Sequence, residues 1–378
     1  VKIAFGESRQ SSIGIEWELA VVDAATLEQV PGAEVLLETV EDATDGPIRR
    51  EYLTSMIELV TGVHQSVPTA MDEMRALLER SLSVLEPRGL TLMGAGAHPF
   101  GDPTLQKPGD KPQYRRVSER NAWWGRRMAI NGLHIHTGID HRDKALPIVD
   151  GIARFTPYFI AMSAASPFWM GEDTQFASQR TMMFQQLPTN GLPYHMENWA
   201  ELEKFASQLE GVGLIQNPSE IRWDVRPSGW GTVENRIMDS VPTLMEIGAL
   251  TAFSQCLVER MSRAIAVGEP IERLPYWFMR ENKWRAARYG LAADVITPRK
   301  EEYLIHVRDG IIRWVDELTP IAEQLGCSEN LEDVRRLVRG GPSYLRQRRA
   351  AGDGGAVAAT RLLVDELRAG TPTFKENR

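Results

Sequence analysis

The sequence predicts an α+β fold built around a largely antiparallel sheet. Three observations carry this reading. Short runs of alternating polar and apolar residues recur, the last two lie close enough for a hairpin, and long stretches with helical spacing separate the groups. The alternating runs are Gly14-Ile-Glu-Trp-Glu-Leu19, Asn131-Gly-Leu-His-Ile-His-Thr-Gly138, Ile221-Arg-Trp-Asp-Val-Arg-Pro227 and Thr232-Val-Glu-Asn-Arg-Ile237. Side chains two apart on a strand point to one side. Each run therefore offers a polar pair on one face and packs apolar neighbours on the other. Four such runs predict a sheet with one polar, functional face.

The elements follow in order. Residues 13–22 read as a strand broken at Asp23, and 51–61 as a second strand ending at Gly62. Residues 68–86 form a helix, with Pro68 in its first turn and Met71, Met74, Leu77, Leu78, Leu82 and Leu85 at helical spacing. A strand is expected over 90–97, then a turn at His98-Pro99, a helix over 114–127 and a strand over 128–139. Residues 147–170 read as one long apolar helix and 197–209 as another, capped by Asn198. Strands over 220–226 and 231–238 are joined by a turn at Pro227-Ser-Gly229. A helix without internal breakers spans 242–267, and the pattern from 274 onward is almost entirely helical. No composition break divides the chain, so residues 1–290 are expected as one catalytic domain, with 291–378 a helical extension packed on it.

Composition excludes several classes. With 378 residues, 43% of them hydrophobic, the chain has ample material for a core. A net charge of −8 argues against a nucleic-acid binder. Cys256 and Cys327 give neither a disulfide framework nor a metal spacing and are expected as free thiols. No apolar run reaches membrane-spanning length and no signal-peptide order is seen, so a cytoplasmic location without membrane contact is expected.

The polar pairs carry the chemistry. Carboxylates are abundant in them and thiolates absent, which suits Mg²⁺ or Mn²⁺ better than zinc. Glu16, Glu18, Glu51, Glu58 and Glu234 are the candidate carboxylate ligands, and His134 the candidate imidazole. Glu51 and Glu58 are seven apart, so both reach one face only if a bulge or a loop position intervenes. Arg222, Arg226, Arg236, Arg285 and Arg288 lie in or beside these motifs, the last two spaced i,i+3 on a helix. Guanidiniums bind phosphate and carboxylate in bidentate fashion. Metal-binding carboxylates with convergent arginines describe phosphoryl transfer. No Walker A sequence occurs, and Gly94-Ala-Gly96 lacks the rest of a dinucleotide fingerprint. Two other readings stay open: a metal-dependent hydrolase using His134 and His136, and a non-catalytic sensor of ATP or glutamate.

Gly14-Ile-Glu-Trp-Glu-Leu19, Gly94-Ala-Gly-Ala-His-Pro99, Gly132-Leu-His-Ile-His136, Leu187-Pro-Thr-Asn-Gly-Leu-Pro193, Asp224-Val-Arg-Pro-Ser228 and Val233-Glu-Asn-Arg-Ile-Met-Asp239 resemble, in order, the motifs of the type 2 glutamate–cysteine ligase family, the YbdK-type carboxylate–amine ligases. The resemblance runs from about residue 11 to about 290. It implies a glutamine-synthetase-like domain that binds ATP and two or three Mg²⁺ ions. ATP would phosphorylate the γ-carboxylate of glutamate, and cysteine or another amine would attack the acyl phosphate. By the same resemblance Glu16, Glu18, Glu58, His134 and Glu234 match metal ligands and Glu51 an acidic position of variable role. Arg236 matches a contact to the transferring phosphoryl group, and Asp224 and Arg226 organise the nucleotide or glutamate side. A homodimer is also implied.

Weaker signals are read as follows. His98 is expected in a turn, Arg180 as a candidate for the glutamate α-carboxylate, and residues 335–349 as a solvated basic helical face. Trp17, Trp223, Trp230 and Trp284 are expected in the core. The segments 100–112 and 186–193 have the Gly/Pro content of loops that would shield an acyl phosphate from water.

Overall fold

A computed structural model describes residues 1–298 and 303–374. The chain opens with β1 (Ile13–Asp23), α1 (Ala33–Leu37), β2 (Ile48–Arg50) and β3 (Met56–Val60). Helix α2 (Val67–Leu85) leads to β4 (Leu90–Met93), and α3 (Pro112–Gly125) to β5 (Gly132–Gly138). Two helices, α4 (Ala145–Ala153) and α5 (Thr156–Ser163), precede a small ribbon of β6 (Phe168–Trp169) and β7 (Glu172–Asp173). Helices α6 (Gln179–Phe184) and α7 (Trp199–Gly211) come before the hairpin β8 (Val225–Ser228) and β9 (Thr232–Asp239). Then follow α8 (Leu244–Ala266), α9 (Tyr276–Tyr289), the ribbon β10 (Asp294–Ile296) and β11 (Leu304–His306), and helices α10 (Val307–Leu325), α11 (Ser328–Gly340) and α12 (Ser343–Ala369).

The main sheet has the order β2-β3-β1-β5-β9-β8, with β4 also paired to β1, and every pairing is antiparallel. Strand β1 sits at its centre for a reason visible in its residues. Ile13, Ile15, Trp17, Leu19 and Val21 alternate onto one face and are all buried, which fixes the register, since a slip by one residue would expose them all. Trp17 anchors that face: its Nε1 donates to Ser240 Oγ at 3.0 Å and to Val241 O at 3.1 Å. Helices α2, α4, α5 and α8 pack against this apolar side of the sheet. The opposite side keeps the polar pairs.

Helix α8 is buried over most of its circumference, and Thr243 caps it by accepting from Glu246 N at 3.2 Å. Helices α10 and α11 pack on it, and Cys256 Sγ on α8 lies 3.7 Å from Cys327 Sγ, both as free thiols. Helix α12 packs on β4, where Leu363 and Val364 join Ala20, Val22 and Met93.

Several expected elements differ in the structure. The long helix over 147–170 is two helices, because Pro157 lacks the N–H that would continue α4 and instead occupies the first turn of α5. The strand expected over 51–61 is shorter, since residues 51–55 form the turn after β2 and only β3 is strand. The β8–β9 turn lies at 229–231, not 227–229, because Pro227 and Ser228 pair with Val233 and Thr232. Gly231, at φ 74°, supplies the left-handed position there. The expected helical tail contains the β10–β11 ribbon, and its residues 299–302 and 375–378 lie outside the described residues. Trp230 and Trp284 are exposed, unlike the buried Trp17 and Trp223.

The basic stretch 335–349 is not one solvated face. It breaks between α11 and α12, and Arg346 is enclosed with Glu246 and Glu366, each ion pair at 2.9 Å. Its NH1 also donates to Gly341 O at 2.8 Å. Removing one member of a buried ion triad leaves uncompensated charge in a low-dielectric setting. Arg346→Ala is therefore expected to destabilise the fold by about 3–5 kcal/mol, measured by urea unfolding. A loss below about 1 kcal/mol, the range of an exposed pair, would contradict the enclosed triad.

Candidate active site on the polar face of the sheet

Cross-strand register assembles the site. On the face opposite Trp17, Glu18 stands across from Glu58 of β3, Glu16 across from His134 of β5, and His136 across from Glu234 of β9. Directly opposed residues of antiparallel strands share a face. Four strands thus lay Glu58, Glu18, Glu16, His134, His136 and Glu234 in one row. A bulge in the β5–β9 pairing between Leu133 and Ile135 adds a residue on β9, where Arg236 turns onto the same face. Glu51 reaches the row from the turn between β2 and β3, the loop position its spacing required, with its Oε2 accepting from Tyr52 N at 2.6 Å.

The side chains converge closely. His134 Nδ1 lies 3.0 Å from Glu16 Oε2, and His134 Nε2 lies 3.7 Å from Glu18 Oε1. His136 Nδ1 is 2.9 Å from Thr232 Oγ1, while its Nε2 lies 3.3 Å from Glu16 Oε1 and 3.9 Å from Glu234 Oε1. Glu234 is gripped from both sides, by Arg226 Nε at 2.6 Å and by Arg236 NH1. Gly132 N donates to Glu18. A Cβ at Gly132 would collide with the Arg180 guanidinium and crowd the His134 ring, so only glycine permits this approach.

The electrostatics divide the carboxylates in two. Burial acts against ionisation of Glu234, but Arg226 and then Arg236 overcome it and hold the carboxyl well below its usual range. Glu16 is likewise held low against burial by hydrogen bonds from His134 and His136. In the other three burial outweighs the partners. Burial, then the charge of Glu51, pushes Glu18 up to about 8. Burial also raises Glu51, and it raises Glu58 further with help from Glu16, Glu51 and Glu18. Burial, with Arg236 beside it, takes His134 down to about 4 and leaves a neutral imidazole free to ligate.

Two overlapping triads result: Glu16, His134 and Glu234, and Glu18, Glu58 and His134, each with ligand atoms within 4.8 Å of one another. Oxygen-rich donors with one imidazole fit Mg²⁺ or Mn²⁺, and carboxyls raised by burial and then by one another are what a cation would relieve.

The sequence profile of Glutamate-cysteine ligase family 2 (GCS2) matches residues 12–365. The chain belongs to that family. Among curated relatives, one from Paenarthrobacter aurescens strain TC1, provisionally named glutamate–cysteine ligase 2-2, is 44% identical over 381 residues, covering 98% of this chain and 99% of the relative. One from Leifsonia xyli subsp. xyli strain CTCB07, provisionally named glutamate–cysteine ligase 2, is 45% identical over 376 residues, covering 98% and 99%. Among solved structures, the glutamate–cysteine ligase of Francisella tularensis in complex with AMP superposes with a TM-score of 0.69 at 12% identity, covering 97% of this chain and 90% of that one. The bifunctional glutathione synthetase of Pasteurella multocida gives 0.63 at 15% identity, covering 95% and 52%. The curved antiparallel sheet with flanking helices, expected as a glutamine-synthetase-like domain, is the fold this family member shares with them.

Not every expected site residue of this ligase-family chain meets the row. Arg180 does reach it: its buried guanidinium, carried by α6, stands beside His134 where a Cβ of Gly132 would be, and donates to Ile237 O and Arg236 O at 3.4 Å. Arg285 and Arg288 point elsewhere. Arg285 pairs with Glu281 at 2.7 Å, and Arg288 bonds Gln175 O and lies over the Phe176 and Tyr289 rings. Helix α9 instead buries Asn282, Lys283, Ala286 and Ala287. Lys283, missed in the sequence, forms a buried pair with Asp224 Oδ2 at 2.6 Å. The small residues Ala286 and Ala287, three and four positions on, were the signal that Lys283 faces inward. His98 holds its turn, its Nδ1 accepting from Gly101 N at 2.8 Å and its Nε2 bonding Leu27 O at 2.8 Å, and burial lowers it to about 4.

These shifts predict a pH profile for the metal-free chain. Glu18 keeps its proton to about pH 8 when folded but loses it near 4.5 when unfolded, so the stability it contributes at low pH is lost as pH rises between those values. Glu58, raised by the same burial, acts in the same sense. His134 acts oppositely, but its effect is complete by pH 6.5. In EDTA, stability should therefore fall from pH 6.5 to 8, with Glu18 accounting for at most about 2 kcal/mol. Glu18→Gln should flatten the fall in urea melts. A wild-type profile that is flat or rising would contradict the assignment.

Proposed function

We propose that this chain is an ATP-dependent carboxylate–amine ligase of the glutamate–cysteine ligase type, acting through an acyl phosphate. The observation that carries the proposal is the row of carboxylates with His134, closed at one end by two arginines on Glu234. Family membership supports the activity, and the AMP bound by the Francisella ligase supports a nucleotide site in this fold.

In the proposed reaction the glutamate γ-carboxylate attacks the γ-phosphorus of ATP and ADP leaves. The amine then attacks the acyl carbon, losing its proton as phosphate departs. Glu16, His134 and Glu234 on one side, and Glu18 and Glu58 on the other, would hold divalent cations, with Glu51 beside them. Bound there, Mg²⁺ or Mn²⁺ supplies charge neutralisation of the ATP phosphates and of the carboxylate nucleophile. Glu234 keeps Arg236 fixed on the face, where its buried Nε has no hydrogen-bond partner among the described residues. Arg226 holds Glu234 from the β8 side and so sets the position of both. Arg180 adds positive charge near Glu18, and Lys283 holds Asp224 in the adjoining wall. The strand-bound side chains are rigid, which suits a reaction whose catalysis is positioning and charge stabilisation.

The segment 186–193 borders two cavities next to β8 and is the better placed of the two candidate covers, while residues 100–107 line a separate cavity with Glu28 and Gln29. The hydrolase reading has less support, since among the described residues neither metal triad contains His136. Cysteine as the acceptor, a homodimer and a cytoplasmic setting are further proposals supported by family membership. Among the described residues no helix is long and apolar enough to cross a membrane. The packing of α10, α11 and α12 on α8 and β4 supports 291–378 as an extension of the same domain.

The test is phosphate release from ATP with Mg²⁺, glutamate and a panel of amines, with mass analysis of products. Amine-dependent release and a γ-glutamyl product are expected. Arg236→Ala should lower kcat by about 10²–10³-fold, the cost of losing one preorganised charge-stabilising donor. ATP binding without release under any pairing would favour the sensor.

A further inference from the structure

Helix α3 contains a backbone conformation that nothing in its local sequence calls for. Ala122 stands at φ 48° and ψ −116°, inside the helix and in a region closed to most residues that carry a Cβ. The chain doubles back there. Gly125 approaches Val117 O and Ser118 O so closely that a Cβ would collide with both carbonyls. Trp123 and Trp124 follow the strained residue, both exposed, edge to face at 4.7 Å, with Arg127 over the Trp123 ring at 3.9 Å. Such strain persists only where the surroundings hold it.

Tyr52 supplies the hold. Its hydroxyl donates to Gly125 O at 3.2 Å, beyond the kink, and shares a hydrogen bond with the Ser118 side chain before it. Its ring meets Tyr114, in the first turn of α3, edge-on at 5.6 Å. With Val117 it also packs against the cluster of Met128, Met183 and Leu187. On another flank α3 walls a cavity of about 460 Å³ together with Arg222.

The same residue is tied to the row. Tyr52 N donates to Glu51 Oε2 at 2.6 Å, and Glu51 in turn acts on Glu18 and Glu58. The start of α3 reaches the same place. Tyr114 donates to Arg50 O at 3.4 Å, and its phenol is raised by burial and then by Glu51, Glu58 and Glu18. One peptide therefore separates a carboxylate of the row from the side chain that grips α3 on both sides of its kink.

The described arrangement is the one in which Glu51 is committed to the Tyr52 N–H. A cation that draws Glu51 toward Glu18 and Glu58 competes with that bond. The displacement reaches Gly125 through the Tyr52 ring. A ligand biases a bistable element only through such a differential contact.

We propose that α3 is a strap beside the Glu51 end of the row, strained while Glu51 holds Tyr52 and reset when a divalent cation takes Glu51. This rests on the cation-binding reading of the row and adds a moving part to it. Ala122 is the hinge and Tyr52 the link. Trp123 and Trp124 are the surface whose environment changes.

The test uses the full chain and Mg²⁺ alone, with binding followed by calorimetry. Amide hydrogen exchange over residues 112–127 and tryptophan emission are the readouts. Mg²⁺ should change both, and Trp123→Phe combined with Trp124→Phe should remove most of the emission change. Tyr52→Phe deletes only the hydroxyl on Gly125 O and keeps the ring packing. That variant should still bind Mg²⁺ while exchange over α3 becomes insensitive to it. Ala122→Gly accepts the strained conformation, so it should raise the Mg²⁺ midpoint by about 5-fold or more, the lower end of what relief of one strained residue is worth. Mg²⁺ binding with unchanged exchange and emission would overturn the inference. So would a response that Tyr52→Phe retains, or an Ala122→Gly midpoint that stays or falls. Absence of Mg²⁺ binding by wild type would instead overturn the cation reading of the row, and this inference with it.

Discussion

Five carboxylates crowd one face of one sheet, and the rest of the molecule is organised by that constraint. Like charges this close cannot all stay ionised without compensation. The structure compensates only part of the row. Arg226 and Arg236 neutralise Glu234, and two imidazoles steady Glu16. Glu18, Glu51 and Glu58 are left to repel one another, and burial pushes their carboxyls upward. The asymmetry divides the row into an arginine-held end and an uncompensated end, the combination that the proposed phosphoryl transfer would use.

Such a row is tolerable only on a rigid support. The apolar face of β1, locked by Trp17 on Ser240 and Val241, and α8 in the core behind the sheet provide it. Buried charge recurs away from the row, in the Asp224–Lys283 pair and the Arg346 triad, and there each charge has its partner. The contrast is informative. Where the fold needs only stability, its charges are closed; on the polar face they remain open.

Much of this was legible in the sequence because a strand has a strict period of two. Glu16 with Glu18, His134 with His136 and Glu234 with Arg236 announced their shared faces, and antiparallel register aligned them. The helices were read less well where one face had to be chosen. Arg285 and Arg288 drew attention as charges, but Ala286 and Ala287 decide the orientation of α9 and turn Lys283 inward. Arg346 looked solvated for the same reason, since its partners Glu246 and Glu366 lie 100 and 20 residues away. Glu51 could be placed only conditionally, because a turn, not a strand period, carries it to the site.

Under the proposed function the row would hold two divalent cations side by side, one on Glu16, His134 and Glu234 and the other on Glu18 and Glu58. The most direct measurement is Mn²⁺ titration of the full-length protein followed by electron paramagnetic resonance. Two bound Mn²⁺ per chain with an exchange-coupled signal are expected, and loss of one ion and of that coupling in His134→Ala. A single isolated Mn²⁺ signal at saturation, or coupling that survives His134→Ala, would contradict this arrangement.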